Sequence, residues 1–91
     1  MNNFPKKSLG QNFLIDDNII KKIIDIGNIN KKDEILEVGP GTGNLTSEII
    51  KKKPNKIFLI EKDKLLFENL KKKFKNTAIK YSSSPTSKLG G

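Results

Sequence analysis

The sequence predicts an α/β protein, a parallel sheet of about three strands with flanking helices. Three observations carry that expectation. Short apolar runs alternate along the chain with stretches whose apolar residues recur at helical spacing. The two clearest strand candidates, Ile35-Leu36-Glu37-Val38 and Ile57-Phe58-Leu59-Ile60, are nearly continuous in apolar residues, the pattern of strands buried on both faces. A glycine cluster, Gly39 to Gly43, follows the first of them directly, where a strand-to-helix turn belongs.

The elements follow in order. Residues 1–15 read as an irregular arm. Asp16 or Asp17 can cap a first helix in which Ile19, Ile20, Ile23, Ile24 and Ile26 share helical spacing, and Gly27 stops it. Residues 28–33 form a polar connection into the first strand. Asn44 or Thr42 opens a second helix with Leu45, Ile49 and Ile50 on one side; it runs into Lys51-Lys52-Lys53 and ends before Pro54. The second strand closes at Glu61. Asp63 caps a third helix with Leu66, Leu70 and Phe74 on one stripe and Phe67 beside them. Residues 77–81 start a third strand. Residues 82–91, rich in serine and glycine, carry no packing signal. The expected organisation is therefore a domain with its N-terminal arm over residues 1–81 and a flexible tail over 82–91.

Composition narrows the chemistry. At 91 residues the chain is one small domain or a piece of a larger one. Cysteine is absent, which excludes disulfides, zinc-thiolate sites and a cysteine nucleophile. Histidine is absent too, which removes imidazole metal sites and His-based triads; no metal is expected. No stretch approaches the ~18 apolar residues of a membrane span, and residues 1–8 lack the apolar run of a secretory signal. A cytoplasmic chain with no membrane partner is expected. All 18 basic residues are lysine, and the net charge is +8. With 13 Ile and 10 Asn, an AT-rich coding bias accounts for much of this. The charge nevertheless attracts polyanions, nucleic acid foremost. Lysine offers point charges to phosphates and lacks the planar fork that reads guanine.

The richest chemistry lies in Glu37-Val38-Gly39-Pro40-Gly41-Thr42-Gly43. Glycines here let the backbone turn tightly and let a ligand approach the main chain. Glu61 follows 22 residues after Gly39, at the end of the next strand, where a carboxylate suits the two hydroxyls of a ribose. The dinucleotide fingerprint would need Gly or Ala at position 44, which is Asn44. Pro40 removes a backbone N–H that a pyrophosphate would use, and Glu37 adds negative charge beside it. That charge suits a ligand carrying an ammonium and a sulfonium, which points to S-adenosylmethionine. A phosphate-binding P-loop is excluded, since no Gly-Lys-Ser/Thr follows the turn. The alternative role for Glu37 is to stabilise the N-terminus of the helix after the turn.

The segment Lys7-Ser8-Leu9-Gly10-Gln11-Asn12-Phe13-Leu14-Ile15-Asp16, with Ile35 to Thr46 and Ile60-Glu61-Lys62-Asp63, closely resembles the small-subunit ribosomal RNA adenine N6,N6-dimethyltransferase family of class I S-adenosylmethionine-dependent methyltransferases. The resemblance covers residues 4–80, and the Gly-Gln-Asn-Phe-Leu segment is its specific part. It implies the first half of a Rossmann-like class I methyltransferase fold, truncated. It further implies S-adenosylmethionine as cofactor, with Asn12 and Leu14 lining the pocket from the N-terminal side. Gly39, with Gly41 close by, would abut the methionine and ribose, and Glu61 would hold the ribose hydroxyls. The implied activity is dimethylation of two adjacent adenosines in the 3′-terminal hairpin of small-subunit rRNA, with that RNA or its precursor ribosomal particle as partner.

Departures from the family pattern are equally plain. The family places an acidic residue just after the third strand, whereas Tyr81 is followed by three serines and no Asp or Glu occurs after Glu68. The family's Asn-Leu-Pro-Tyr segment, which grips the target adenine, has no counterpart in the chain. The chain alone is therefore expected to be inactive in methyl transfer, to bind cofactor weakly and to associate; no catalytic residue is assigned. Two other readings stand beside this one. Macrolide-resistance methyltransferases of large-subunit rRNA share a Gln-Asn-Phe-Leu segment. A non-catalytic basic RNA-binding module would use the lysines at 51–53 and 71–75.

Overall fold

The computed structural model describes residues 16–83. Three helices and three strands alternate: α1 Asp17–Gly27, β1 Glu34–Val38, α2 Asn44–Lys51, β2 Lys56–Ile60, α3 Lys64–Lys73 and β3 Lys80–Ser82. The sheet is parallel, with spatial order β1-β2-β3. Ile35 lies beside Ile57, Glu37 beside Leu59, and Leu59 beside Tyr81.

Local signals place the helix starts. The Asp16 carboxylate accepts hydrogen bonds from the Asn18 and Ile19 N–H groups, so Asp16 rather than Asp17 is the cap. Gly27 is still helical; Asn28, at φ 47, takes the left-handed position that ends α1. Asp63 caps α3 as its sequence position predicts, accepting from the Leu66 N–H at 3.0 Å. At α2 the first helical residue is Asn44, one of the two residues expected to open it, but the residue before it is the cap. Neither Thr42 nor Asn44 is the cap; Gly43 is, at φ 90, with no side-chain cap bond. The reason is tertiary, since α3 packs so closely on this point that no side chain fits.

The core sits on one face of the sheet. Ile20 and Ile24 of α1, Ile49 of α2, and Ile57 and Leu59 of β2 form a buried cluster, with Ile35, Leu45, Ile50 and Tyr81 packed against it. The Phe67 ring of α3 meets Tyr81 edge-on at 5.9 Å, so α3 covers the same face. Leu70 and Phe74 are buried on its stripe, while Leu65 is exposed. On α1, Ile26 is 83% exposed, so the apolar stripe is narrower than its isoleucines suggest.

The expectation of strands buried on both faces fails for β1 among the described residues, although Ile60 of β2, beside Val38, is buried at 4% exposure. Leu36 is 56% and Val38 67% exposed on the opposite face, and Phe58 beside them is half-buried. Topology explains this. Right-handed crossovers in a sheet that grows in one direction put every connecting helix on the same side. The third strand begins at Lys80, three residues later than expected; a turn closed by the Thr77 N–H on the Phe74 carbonyl takes the chain as far as Thr77. It also runs through Ser82, which is buried and accepts the Glu61 N–H on its carbonyl at 2.9 Å. Ser82 is thus part of the sheet, and the rest of the expected tail from residue 84 on lies outside the described residues.

Candidate functional site

The carboxyl ends of β1 and β2 carry the glycine turn. The Gly39 N–H donates to the Ile60 carbonyl at 2.8 Å, extending the β1–β2 ladder by one step. The chain then reverses through Gly41, at φ 62, and the Gly43 N–H closes the turn on the Pro40 carbonyl at 2.9 Å. The Ser47 N–H bonds the Gly43 carbonyl and starts α2.

The glycines at the two ends of this turn have different reasons. Gly43 is a packing glycine, for a Cβ there would lie 2.8 Å from Phe74 and 3.1 Å from Leu70. Gly39 is the opposite. It has φ 71, and a Cβ there would meet nothing within 4 Å. Its α-carbon faces open space, which leaves the main chain accessible to a ligand.

Glu61 stands where the sequence places it, at the end of β2, and its carboxylate is held firmly. Oε1 accepts from the Gly41 N–H at 3.1 Å and Oε2 from the Asp63 N–H at 3.0 Å. Each oxygen keeps a second acceptor direction, so the carboxylate can brace the turn and still receive hydroxyl donors. The cleft formed by Val38, Gly39, Ile60, Glu61 and Lys62 has a volume of about 130 Å³. That is room for a sugar-sized group and less than the ~300–1,000 Å³ of a complete small-molecule site.

Glu37 precedes the turn and is not part of that cleft's lining. It is buried on β1, and its Oε1 accepts from the Thr46 hydroxyl of α2 at 2.5 Å. Its Oε2 is buried without a hydrogen-bond partner among the described residues. Burial pushes this carboxyl above its ordinary value of 4.5, and the Thr46 hydroxyl pulls it partly back. Both sequence readings of Glu37 therefore have structural content: one oxygen ties β1 to α2, and the other is a buried acceptor beside the turn. A cationic ligand group would satisfy it.

Gly39, Gly41 and Glu61 thus converge at one end of the sheet. Asn12 and Leu14 lie outside the described residues. Thr46 and Lys73 were not expected at the site from the sequence, and Asp63 was expected there only as a helix cap. Thr46 is fully buried against Glu37, and its spacing of three from Ile49 on the helix was the available signal. Asp63 lends its N–H to Glu61 as well as capping α3. Lys73 reaches back to the Thr42 carbonyl at 3.0 Å. That contact spans 31 positions, and no local pattern reports it. Among the described residues no group of three or more Asp or Glu side chains could hold a metal ion, and no helix is long and apolar enough to cross a membrane.

Comparison with known proteins sets the chain beside rRNA methyltransferases. The ribosomal RNA small subunit methyltransferase A of Pelagibacter ubique is 57% identical over 75 residues, which are 82% of this chain and 28% of that protein. Its counterpart in Ureaplasma parvum is 54% identical over 67 residues, 74% of this chain and 24% of that protein. The chain thus spans about a quarter of the length of these curated relatives. Among solved structures, a dimethyladenosine transferase from Plasmodium falciparum superposes with a TM-score of 0.71 at 26% identity, over 81% of this chain and 28% of that one. The 23S rRNA methyltransferase ErmE gives 0.68 at 26% identity, over 76% and 28%. Residues 2–84 match the ribosomal RNA adenine dimethylase family, and the chain belongs to that family.

Proposed function

We propose that this segment supplies part of the S-adenosylmethionine site of an rRNA adenine N6,N6-dimethyltransferase acting on small-subunit rRNA, alone or in a precursor ribosomal particle, in the cytoplasm. The observation that carries the reading is Glu61. Its carboxylate is fixed by the Gly41 and Asp63 N–H groups, with acceptor directions to spare beside the open face of Gly39. The residues fit the cofactor on chemical grounds as well. A ribose donates two hydroxyls to a carboxylate, and the buried Glu37 Oε2, lacking a partner among the described residues, gains one from an ammonium or sulfonium.

When bound, S-adenosylmethionine supplies an electrophilic methyl group. The work of this chain is to position it. Glu61 orients the ribose, Gly39 lets the ligand lie against the main chain, and Glu37 matches the positive charge of the methionine end. Asn12 and Leu14 are proposed to complete the pocket from the arm. Methyl transfer itself belongs in this proposal to the longer protein. Small-subunit rRNA is preferred because curated relatives named for the small subunit reach 57% identity.

The test is a titration of the isotopically labelled chain with S-adenosylmethionine, followed by amide NMR, which registers weak binding. The Gly39, Gly41 and Glu61 amides should shift most. Glu61→Ala should weaken binding by about 1.5–3 kcal/mol, the value of a lost charged hydrogen bond. Shifts confined to other parts of the chain, or an unchanged affinity in Glu61→Ala, would remove Glu61 from the site.

A further inference from the structure

The end of the sheet opposite the glycine turn carries a separate cleft of about 350 Å³. Its polar lining is Lys53, Asn55, Lys56, Asn76 and Thr77, with Pro54 as part of its wall. It opens at the start of β2, whereas Glu61 follows the end of that strand. A five-residue strand separates the two, a distance of about 17 Å.

Charge sets this cleft apart. It has no carboxylate in its lining, whereas the cleft between α1 and α2 mixes Asp17 and Glu48 with Lys21 and Lys51. Among the described residues, neither the Lys53 nor the Lys56 ammonium has a hydrogen-bond or ion-pair partner; Glu34, directly across from Lys56 in the sheet, makes no ion pair with it. Three other lysines are engaged within the fold. Lys51 pairs with Glu48 at 2.9 Å. Lys71 lies over the Phe67 ring, and Lys73 bonds the Thr42 carbonyl and lies over Phe74.

The backbone adds an independent observation. Lys53 sits just past the end of α2 at φ 54, with its N–H on the Ile50 carbonyl. This is the left-handed position after a helix that glycine usually fills. A lysine there is strained, and the strain presents a cation on the rim of a carboxylate-free cleft.

We propose that this cleft is an RNA-contact site of the protein, separate from the cofactor site, in which Lys53 and Lys56 take a phosphodiester of single-stranded RNA. The carboxamides of Asn55 and Asn76 and the hydroxyl of Thr77 offer donors and acceptors to the adjoining sugar or base. Such a site holds RNA at the end of the sheet remote from the cofactor and adds affinity without reading sequence, as lysines acting on phosphates do. The inference rests on RNA being the partner of this family, and the experiment separates the two.

Binding of a fluorescein-labelled oligouridylate to the full 91-residue chain is measured by anisotropy over a range of salt concentrations. The double variant Lys53→Gly/Lys56→Gln should bind about tenfold more weakly, with a salt slope shallower by about 0.7–1.4, one or two phosphate contacts on a single strand. Its melting temperature should hold or rise, because glycine relieves the left-handed strain; a purely structural role for Lys53 moves stability and affinity the same way. The charge-matched control Lys64→Gln/Lys72→Gln on α3 should bind within twofold of the parent, and Lys53→Arg/Lys56→Arg should bind like it. Equal losses in the cleft pair and the control pair would reduce the effect to net charge and overturn the proposal. RNA binding indifferent to Lys53 and Lys56 would remove this site and leave RNA as the partner. No binding by the unaltered chain would remove both.

Discussion

Replacing Gly43 by alanine tests whether the glycine turn is held in place from α3. The native backbone there has φ 90, a left-handed conformation that costs an L-residue about 1–2 kcal/mol. The new methyl would lie 2.8 and 3.0 Å from the Phe74 ring and 3.1 Å from Leu70, inside ordinary van der Waals contact. Neither neighbour has free space to retreat into, since Leu70 is 1% and Phe74 8% exposed. Overpacking of this kind adds about 1–3 kcal/mol, so the whole cost is about 2–5 kcal/mol. Gly39→Ala is the matched comparison. It carries the same backbone penalty at φ 71 and meets nothing, so it should cost only about 1–2 kcal/mol. Urea unfolding followed by far-UV circular dichroism reads both. A second change, Phe74→Leu, should return part of the loss in the Gly43→Ala background, a coupling that contacting residues show and distant ones do not. Equal destabilisation by the two alanines, or no coupling to Phe74, would refute the claim that α3 braces the turn. In cofactor titrations the order should reverse, with Gly39→Ala losing more affinity than its stability cost explains.

Two further expectations follow from the buried acid and the open face. Glu37 titrates above its ordinary 4.5 in the folded chain because it is buried. The folded state therefore holds its proton more tightly, and stability is full below that value and falls as pH rises through the raised one. Glu37→Gln should flatten this fall, raising the urea midpoint near neutrality while weakening S-adenosylmethionine binding; a midpoint curve parallel to the parent's would contradict it. Leu36→Thr with Val38→Thr, both on the uncovered face, should leave the urea midpoint nearly unchanged and lower self-association in sedimentation velocity. A loss of stability like that of a core substitution would show the face to be covered.

Much of this was legible in the sequence because it is local. Asp16 and Asp63 announce their caps by type and position, β1 and β2 announce themselves by apolar runs, and Glu61 falls at the strand end that its distance from Gly39 predicts. What escaped was set by residues remote in the chain. Thr42 and Asn44 are good capping residues, yet Gly43 takes the place because Phe74 and Leu70 leave no room there. The apolar run of β1 reads as buried on both faces because periodicity reports what a strand can bury, and the single direction of sheet growth decides what it does bury. Thr77 and Ala78 have apolar neighbours, yet the strand starts only at Lys80, after a backbone turn closed on Phe74. At the site, Gly39 and Glu61 could be inferred from spacing, whereas the hydrogen bond from the Gly41 N–H to Glu61 that joins them could not.

The strand register has a consequence for how the chain is made. Glu34 lies beside Lys56 and Phe58 beside Lys80, so each strand pairs with one that left the ribosome 22 residues earlier. Loop closure over so short and constant a separation is fast, and the sheet can lengthen in the direction of synthesis, one crossover at a time. Among the described residues β1 is the first strand made, and its outer edge is unpaired. Between neighbouring nascent chains that edge is the template for wrong pairing. Its charge then acquires a kinetic meaning: exposed Glu34 at its start sets like charge against a second copy of the same strand while the rest of the sheet is still arriving.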